Sequence, residues 1–178
     1  MIRLFATVGA ALVLATAHPG VALAQLAISR SPATAPVLGN TIRGSSATTF
    51  QITTDGAVTR TSGNAIRLSS ASVTAPTITI TCNSFASACY QRYVRVTITP
   101  VTGSGPATIS RLRVGSLSGS NYRTGSAPAE AASLQFDLNP LGWYGSASFR
   151  LGMNVLLAAN ASSGLDTYDY LVTIQFVT

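Results

Sequence analysis

Apolar and polar residues alternate with a period of two along several stretches of the chain from Thr48 onward. Such alternation is typical of strands that bury one face and expose the other. The clearest stretches are separated by turns rich in Gly, Ser, Asn and Pro, and they are 78–82, 94–98, 134–138 and 149–157. No helical period is sustained after residue 24. The pattern therefore predicts an all-β protein, an antiparallel β-sandwich of about eight strands.

One predicted strand near the C-terminus carries large apolar side chains at every second position, namely Tyr168, Tyr170, Val172, Ile174 and Phe176. One interpretation is an ordinary core strand whose stripe is covered within the chain. The other is that the stripe forms one lip of a groove that a strand from another chain fills. An unpaired strand would offer that partner both backbone hydrogen-bonding groups and alternating side-chain pockets.

Residues 1–24 have the three-part layout of a signal peptide. Arg3 supplies a positive start, an uncharged apolar run covers 4–17, and Ala22-Leu23-Ala24 forms a small-x-small cleavage pattern. The apolar run is shorter than the roughly 20 residues that a membrane-spanning helix needs, and an N-terminal membrane anchor is the alternative. We therefore expect an exported protein, located in the periplasm, at the cell surface or outside the cell.

The segment that follows the cleavage pattern differs from the rest of the chain. Residues 25–47 contain two prolines and two glycines and show little alternation. Pro and Gly interrupt regular structure, so this stretch is predicted as an extended N-terminal segment. The sandwich domain is then expected over 48–178.

The chain has two cysteines, Cys82 and Cys89, which lie close together in sequence. Export places them in an oxidising compartment, where two cysteines pair. Their spacing is not that of a CxxC redox motif, and no histidine outside the signal peptide could complete a zinc site. The pair is therefore predicted to be a structural disulfide.

Basic residues are frequent but scattered, which bears on the partners to expect. The formal net charge is +6, yet the chain contains no lysine and its 11 basic residues are all arginine. A nucleic-acid footprint requires clustered positive charge, and no basic run or recognised nucleic-acid motif occurs. We therefore expect no nucleic-acid partner.

Groups for catalysis are also scarce. The only histidine is His18, inside the predicted signal peptide, and the five acids show no pairing pattern. Serines are abundant, but there is no G-x-S-x-G motif and no histidine to activate one. The sequence thus predicts a protein that is not an enzyme and that has no metal site and no small-molecule cofactor.

Two stretches, FQITTDGAVTRTSGNAIRLSSASVTAPTITITC and SASFRLGMNVLLAANASSGLDTYDYLVTIQFV, have a familiar layout. They resemble secreted alphaproteobacterial domains of unknown function that are similar to spore-coat-U-type and fimbrial pilin subunits. The resemblance implies an immunoglobulin-like, pilin-like sandwich in which a neighbour's N-terminal strand completes the sheet. It further implies self-association or association with related subunits, aided by a periplasmic chaperone and an usher. On this view Leu26 and Ile28 begin a donor segment, and the stripe at 168–176 lines the assembly groove.

Two other functions are compatible with the pattern. A signal peptide followed by alternating strands also suits a small outer-membrane β-barrel, although such strands need about 9–11 residues each. Trp143 and Tyr144 lie in a predicted loop between two glycines. Exposed aromatic residues in loops can stack on a ligand, so the pair is a candidate ligand contact in a glycan-binding module. The leading prediction is a secreted structural or adhesive protein.

Overall fold

A computed structural model of the protein is almost entirely β, with antiparallel strands and one short helix. It describes residues 26–33, 37–101, 107–160 and 164–178. Within these ranges lie twelve strands, β1–β12, and the helix α1, Ser87–Gln91. The predicted all-β antiparallel sandwich is confirmed. The predicted signal peptide, 1–24, lies outside the described residues.

The larger layer is a sheet built around the long strand β10. Its six strands are β1 (Leu26–Ser31), β3 (Thr48–Ile52), β4 (Val58–Ser62), β6 (Thr77–Cys82), β8 (Ala107–Ser118) and β10 (Ser146–Leu157). One side of β10 pairs with β8, while its other side pairs first with β6 and then with β3. β1 adds to the outer side of β6, and β4 adds to the outer side of β3.

The opposing layer is a three-stranded antiparallel sheet in the order β12-β7-β9. Its strands are β7 (Tyr93–Val101), β9 (Leu134–Leu138) and β12 (Asp169–Val177). A small third sheet has the order β11-β2-β5 and consists of β2 (Val37–Ile42), β5 (Ile66–Arg67) and β11 (Gly164–Thr167). The described chain is therefore organised around two packed layers with a short sheet beside them.

The core lies between the two layers and follows the alternation seen in the sequence. Val94, Val96 and Ile98 of β7 are fully buried, and the residues between them are partly exposed. Facing them, Phe149 of β10 is also fully buried, and its ring lies edge-on to Phe136 of β9 at 5.5 Å between centroids. A period of two places successive side chains on opposite faces, so each strand contributes one face to the core.

The N-terminal segment, 25–47, is predicted as an extension that precedes the sandwich, but it contributes two strands to the sheets. β1 pairs with β6 along its whole length, and β2 pairs with both β5 and β11. These strands, like β4 and β5, contain six residues or fewer. Alternation over so few residues gives a weak signal, which is why the structure has more strands than the pattern predicts.

An ion pair joins two strands of the smaller layer. The Arg95 guanidinium donates two hydrogen bonds to Asp137, from Nε at 2.8 Å and from Nη2 at 3.1 Å. Hydrogen bonding from Arg95 lowers the pKa of Asp137, and the charges of Arg95 and Arg123 add to that effect. A carboxyl group with a lowered folded-state pKa stabilises the fold above its unfolded pKa of about 3.9. That stabilisation is lost as the pH falls through the folded value.

Asp137→Asn is therefore expected to lower the free energy of unfolding at neutral pH by about 0.5–1 kcal/mol, because solvent screens a pair whose arginine is one-third exposed. The deficit should shrink as the pH falls from about 4 through the lowered folded-state pKa of Asp137, because the wild-type carboxyl becomes protonated over that range and loses the same interaction. Urea denaturation of both proteins across a pH series measures the difference. A deficit that is the same at acidic and neutral pH would show that the ion pair is not its cause.

Candidate functional site

β12 lies at one edge of its sheet, and in the described part of the chain only β7 pairs with it. Its inward residue Tyr170 is buried. Tyr168, predicted to belong to the same strand, is also buried but lies just before it, between β11 and β12. Farther along, Val172, Ile174 and Phe176 point inward but are only half-buried. The C-terminal stripe predicted from the sequence is thus real, and its second half is incompletely covered.

The backbone of Tyr170 shows which residues present hydrogen-bonding groups at this open edge. Its N–H donates to the Asp169 carboxylate at 2.8 Å, and its carbonyl accepts a 3.4 Å hydrogen bond from Arg30. Neither group points to β7, where Pro100 lies opposite and has no N–H. Because residues of an antiparallel strand alternate in direction, Val172, Ile174 and Phe176 also direct their backbone groups outward.

A groove separates β12 from β1, the outermost strand on one side of the larger sheet. Leu26 and Ile28 are half-buried and pack against the core, and their strand pairs with β6 of the same chain. Of these two residues, which are predicted to begin a donor segment, Ile28 lines the groove opposite β12 in this chain. Leu26 lies two positions before it on the same strand. Between the walls lies an open cavity of about 390 Å³, and its lining residues are Ile28, Arg30, Ala33, Tyr170, Leu171 and Val172. We call this space the β1–β12 groove.

Arg30 lines the β1–β12 groove and connects its two walls. Its Nη1 lies 3.1 Å from Oδ1 of Asp169, and its guanidinium carbon lies 5.3 Å from the centre of the Tyr170 ring. Burial raises the pKa of Tyr170, and the charge of Arg30 acts in the opposite direction. The ring is therefore a neutral partner for the cation, and the contact joins the two sheets across the groove.

Tyr168 marks the buried start of the stripe and carries a hydroxyl that has no hydrogen-bond partner among the described residues. Burial raises the pKa of this phenol. A buried hydroxyl without a partner lowers stability by about 1–3 kcal/mol relative to its hydrated form.

Tyr168→Phe is consequently expected to raise the free energy of unfolding by about 1 kcal/mol, because it removes an unsatisfied polar atom while keeping the ring. For a chain of this length the melting temperature should rise by roughly 2–4 °C. Differential scanning calorimetry checks this, with Tyr90→Phe, at an exposed tyrosine, as the matched control that should not change it. A lowered melting temperature for Tyr168→Phe would contradict the assignment.

The predicted disulfide between Cys82 and Cys89 is confirmed, and both residues are completely buried. It joins the end of β6 to helix α1. Two backbone hydrogen bonds attach the turn at 141–145 to this loop: Gly142 donates to the Cys89 carbonyl at 2.8 Å, and Cys82 donates to the Gly145 carbonyl at 2.9 Å. The disulfide loop and the turn therefore form one unit at an end of the sandwich.

That unit displays a group of exposed aromatic rings. Trp143 and Tyr144, the candidate ligand contacts, are 57% and 59% exposed. The structure adds Phe85 and Tyr90, which are 71% and 62% exposed. Sequence reasoning missed both, because neither belongs to an alternating stretch and only the tertiary structure brings the two loops together. The four residues are called the aromatic patch below.

Comparisons with known proteins do not assign a family. No protein-family model matches this chain, and no curated protein or solved structure is significantly similar to it. No helix in the described ranges is long and apolar enough to cross a membrane. In the same ranges, no three side chains of the metal-ligating types lie together. The functional argument therefore depends on the β1–β12 groove and the aromatic patch.

Proposed function

We propose that this chain is an exported structural or adhesive protein without enzymatic activity, a pilin-like subunit of the cell surface. In this proposal a neighbouring subunit binds by adding one of its strands in the β1–β12 groove. The observation that supports this proposal is the outer edge of β12, which has no strand partner among the described residues. Val172, Ile174 and Phe176 on that strand are apolar and only half-buried.

An added strand would pair the outward backbone groups of this edge and cover its apolar side chains. Its backbone would hydrogen-bond with the outward N–H and C=O groups of β12, which have no strand partner among the described residues. Its alternate side chains would enter the groove and cover the half-exposed apolar residues. Burial of apolar surface contributes about 25 cal/mol per Å². Strand addition is therefore favoured both by the new backbone hydrogen bonds and by the burial of apolar side chains.

The donated strand comes from a second copy of this chain or from a related subunit. Before assembly, a periplasmic chaperone would protect the same edge by pairing with it, and an usher would exchange the chaperone for the next subunit. This order follows from the hazard of an exposed sheet edge, which pairs with any available strand.

The test uses the full chain expressed in a bacterium with an outer membrane. We expect the protein in the extracytoplasmic fraction, with residues 1–24 removed, and we expect oligomers that persist on unheated denaturing gels and dissociate on boiling. Light scattering coupled to size-exclusion chromatography gives their mass. Recovery of an uncleaved protein in the cytoplasm would contradict export, and a monomer at every concentration and with every neighbouring gene product would contradict assembly.

A further inference from the structure

The aromatic patch is a connected row of rings. Phe85 lies edge-on to Tyr144, with 4.7 Å between ring centroids, and edge-on to Trp143 at 6.0 Å. Tyr90 continues the row at 5.6 Å from Trp143, with its plane tilted by 37°. The other large exposed apolar residues of the described chain are aliphatic. Exposed aromatic character is therefore concentrated at this one place, which is a mark of a binding surface.

The backbone under the patch is constrained so that it presents these rings. Tyr144 adopts a positive φ of 51°, an uncommon conformation for a residue with a bulky side chain. Next to it, a Cβ on Gly145 would lie 1.8 Å from the Leu141 carbonyl oxygen, so only glycine fits there. Together with the Cys82–Cys89 disulfide, these features build a rigid support for side chains that contribute little to the core. Residues held in sparsely populated backbone conformations, such as Tyr144, cluster at functional sites.

The size and surroundings of the patch indicate the class of ligand. A stable protein interface needs about 20–30 residues on each partner, whereas the patch has four rings. Neighbouring positions in the sequence are polar and exposed, namely Asn83, Gln91 and Arg92. A narrow apolar row with a hydrogen-bonding border matches a sugar, which has an apolar C–H face and a rim of hydroxyl groups.

We propose that the aromatic patch binds the pyranose rings of an oligosaccharide. The faces of the aromatic rings carry negative electrostatic potential, which attracts the slightly positive C–H groups on one face of a pyranose. The Tyr90 and Tyr144 hydroxyls can donate to and accept from sugar hydroxyls. This inference does not depend on strand addition, because it uses loops at one end of the sandwich and no residue of β12.

Trp143 makes the proposal directly measurable, because it is the only tryptophan in the chain. We would titrate the full exported protein with cellohexaose, chitohexaose, laminarihexaose and an oligogalacturonate, and follow tryptophan emission and calorimetric heat. The expected result is a saturable change in Trp143 emission with at least one of them. A preference for the oligogalacturonate would indicate that the exposed Arg92 contributes, and a preference for a neutral sugar would indicate stacking alone.

Two variants inside the patch and one outside it test whether the patch is the surface that binds the sugar. Phe85→Ala and Tyr90→Ala keep the fluorophore and should each weaken binding by roughly 2- to 12-fold, the range for a single aromatic contact. Leu68→Ala, at a 61% exposed residue outside the patch, should leave binding unchanged. Circular dichroism confirms that each variant is folded.

Three results would overturn the proposal. One is the absence of both an emission change and heat with all four oligosaccharides. Another is binding that Phe85→Ala and Tyr90→Ala leave unaltered. The third is a sugar-independent emission change that depends on protein concentration and disappears in Phe85→Ala, which would assign the patch to a second copy of this chain. None of these results bears on assembly through the β1–β12 groove, which is tested by the oligomers described above.

Discussion

Replacing Val172 by proline is expected to abolish strand addition at β12 while the protein stays folded. Proline lacks an N–H, and the N–H of Val172 points outward to the open edge, so no bond of the chain's own ladder is removed. Proline is tolerated on edge strands when its nitrogen faces away from the sheet. An incoming strand, by contrast, would lose a hydrogen bond in the middle of its ladder. Light scattering should then give a monomer where the wild-type chain gives oligomers.

Thr173→Pro is the matched control for this prediction. Thr173 lies opposite Thr97 and is the next residue along β12, so its N–H points to β7. Proline there removes an internal hydrogen bond and leaves a partner unsatisfied, which lowers the free energy of unfolding by about 1–3 kcal/mol. We therefore expect Val172→Pro to lose assembly but keep its stability, and Thr173→Pro to lose stability. Oligomers of normal size from the Val172→Pro protein would exclude this edge as the assembly site.

Phe149→Ala is expected to produce the largest loss of stability of any substitution considered for this chain. Phe149 is fully buried between the two layers, and its ring contacts Phe136 across the core. Truncation to alanine loses the transfer free energy of the ring and leaves a cavity, which together lower the free energy of unfolding by about 3–5 kcal/mol. The melting temperature should fall by roughly 10 °C, as measured by calorimetry.

The control for this change is Phe85→Ala, which removes the same side chain from a site that is 71% exposed. Surface substitutions usually change stability by no more than about 0.5 kcal/mol, so this variant should melt close to the wild type. If Phe149→Ala also melted within about 2 °C of the wild type, the two-layer core would not be packed around Phe149 as described.

Prediction from the sequence succeeded where the signal was local. The alternation around Val94–Ile98 and along 149–157 identified strands and their inward faces, because a period of two is dictated by the pleated backbone. The Cys82–Cys89 pair could likewise be assigned, since its spacing and the expected compartment leave few alternatives. Those inferences concern residues close together in the chain.

Prediction was incomplete where a feature depends on residues far apart. The sequence pattern of the stripe on β12 is the same apolar alternation whether the strand is central in a sheet or at its edge. Only the pairing of β1 with β6, and of β12 with β7 alone in the described chain, shows that a groove separates them. Nothing in the pattern around Phe85 indicates that its ring lies next to Trp143 and Tyr144.

By itself, then, the sequence determined the class of fold, the inward face of the long strands and the disulfide. Each of these follows from backbone geometry or from cysteine chemistry over a few residues. The tertiary structure alone decided which strand edge stays open in the described chain, that Ile28 lines the groove opposite it, and that four aromatic rings meet at one end. The physical reason is that alternation specifies the face a side chain occupies, whereas the neighbours of a strand are selected by packing over the whole chain.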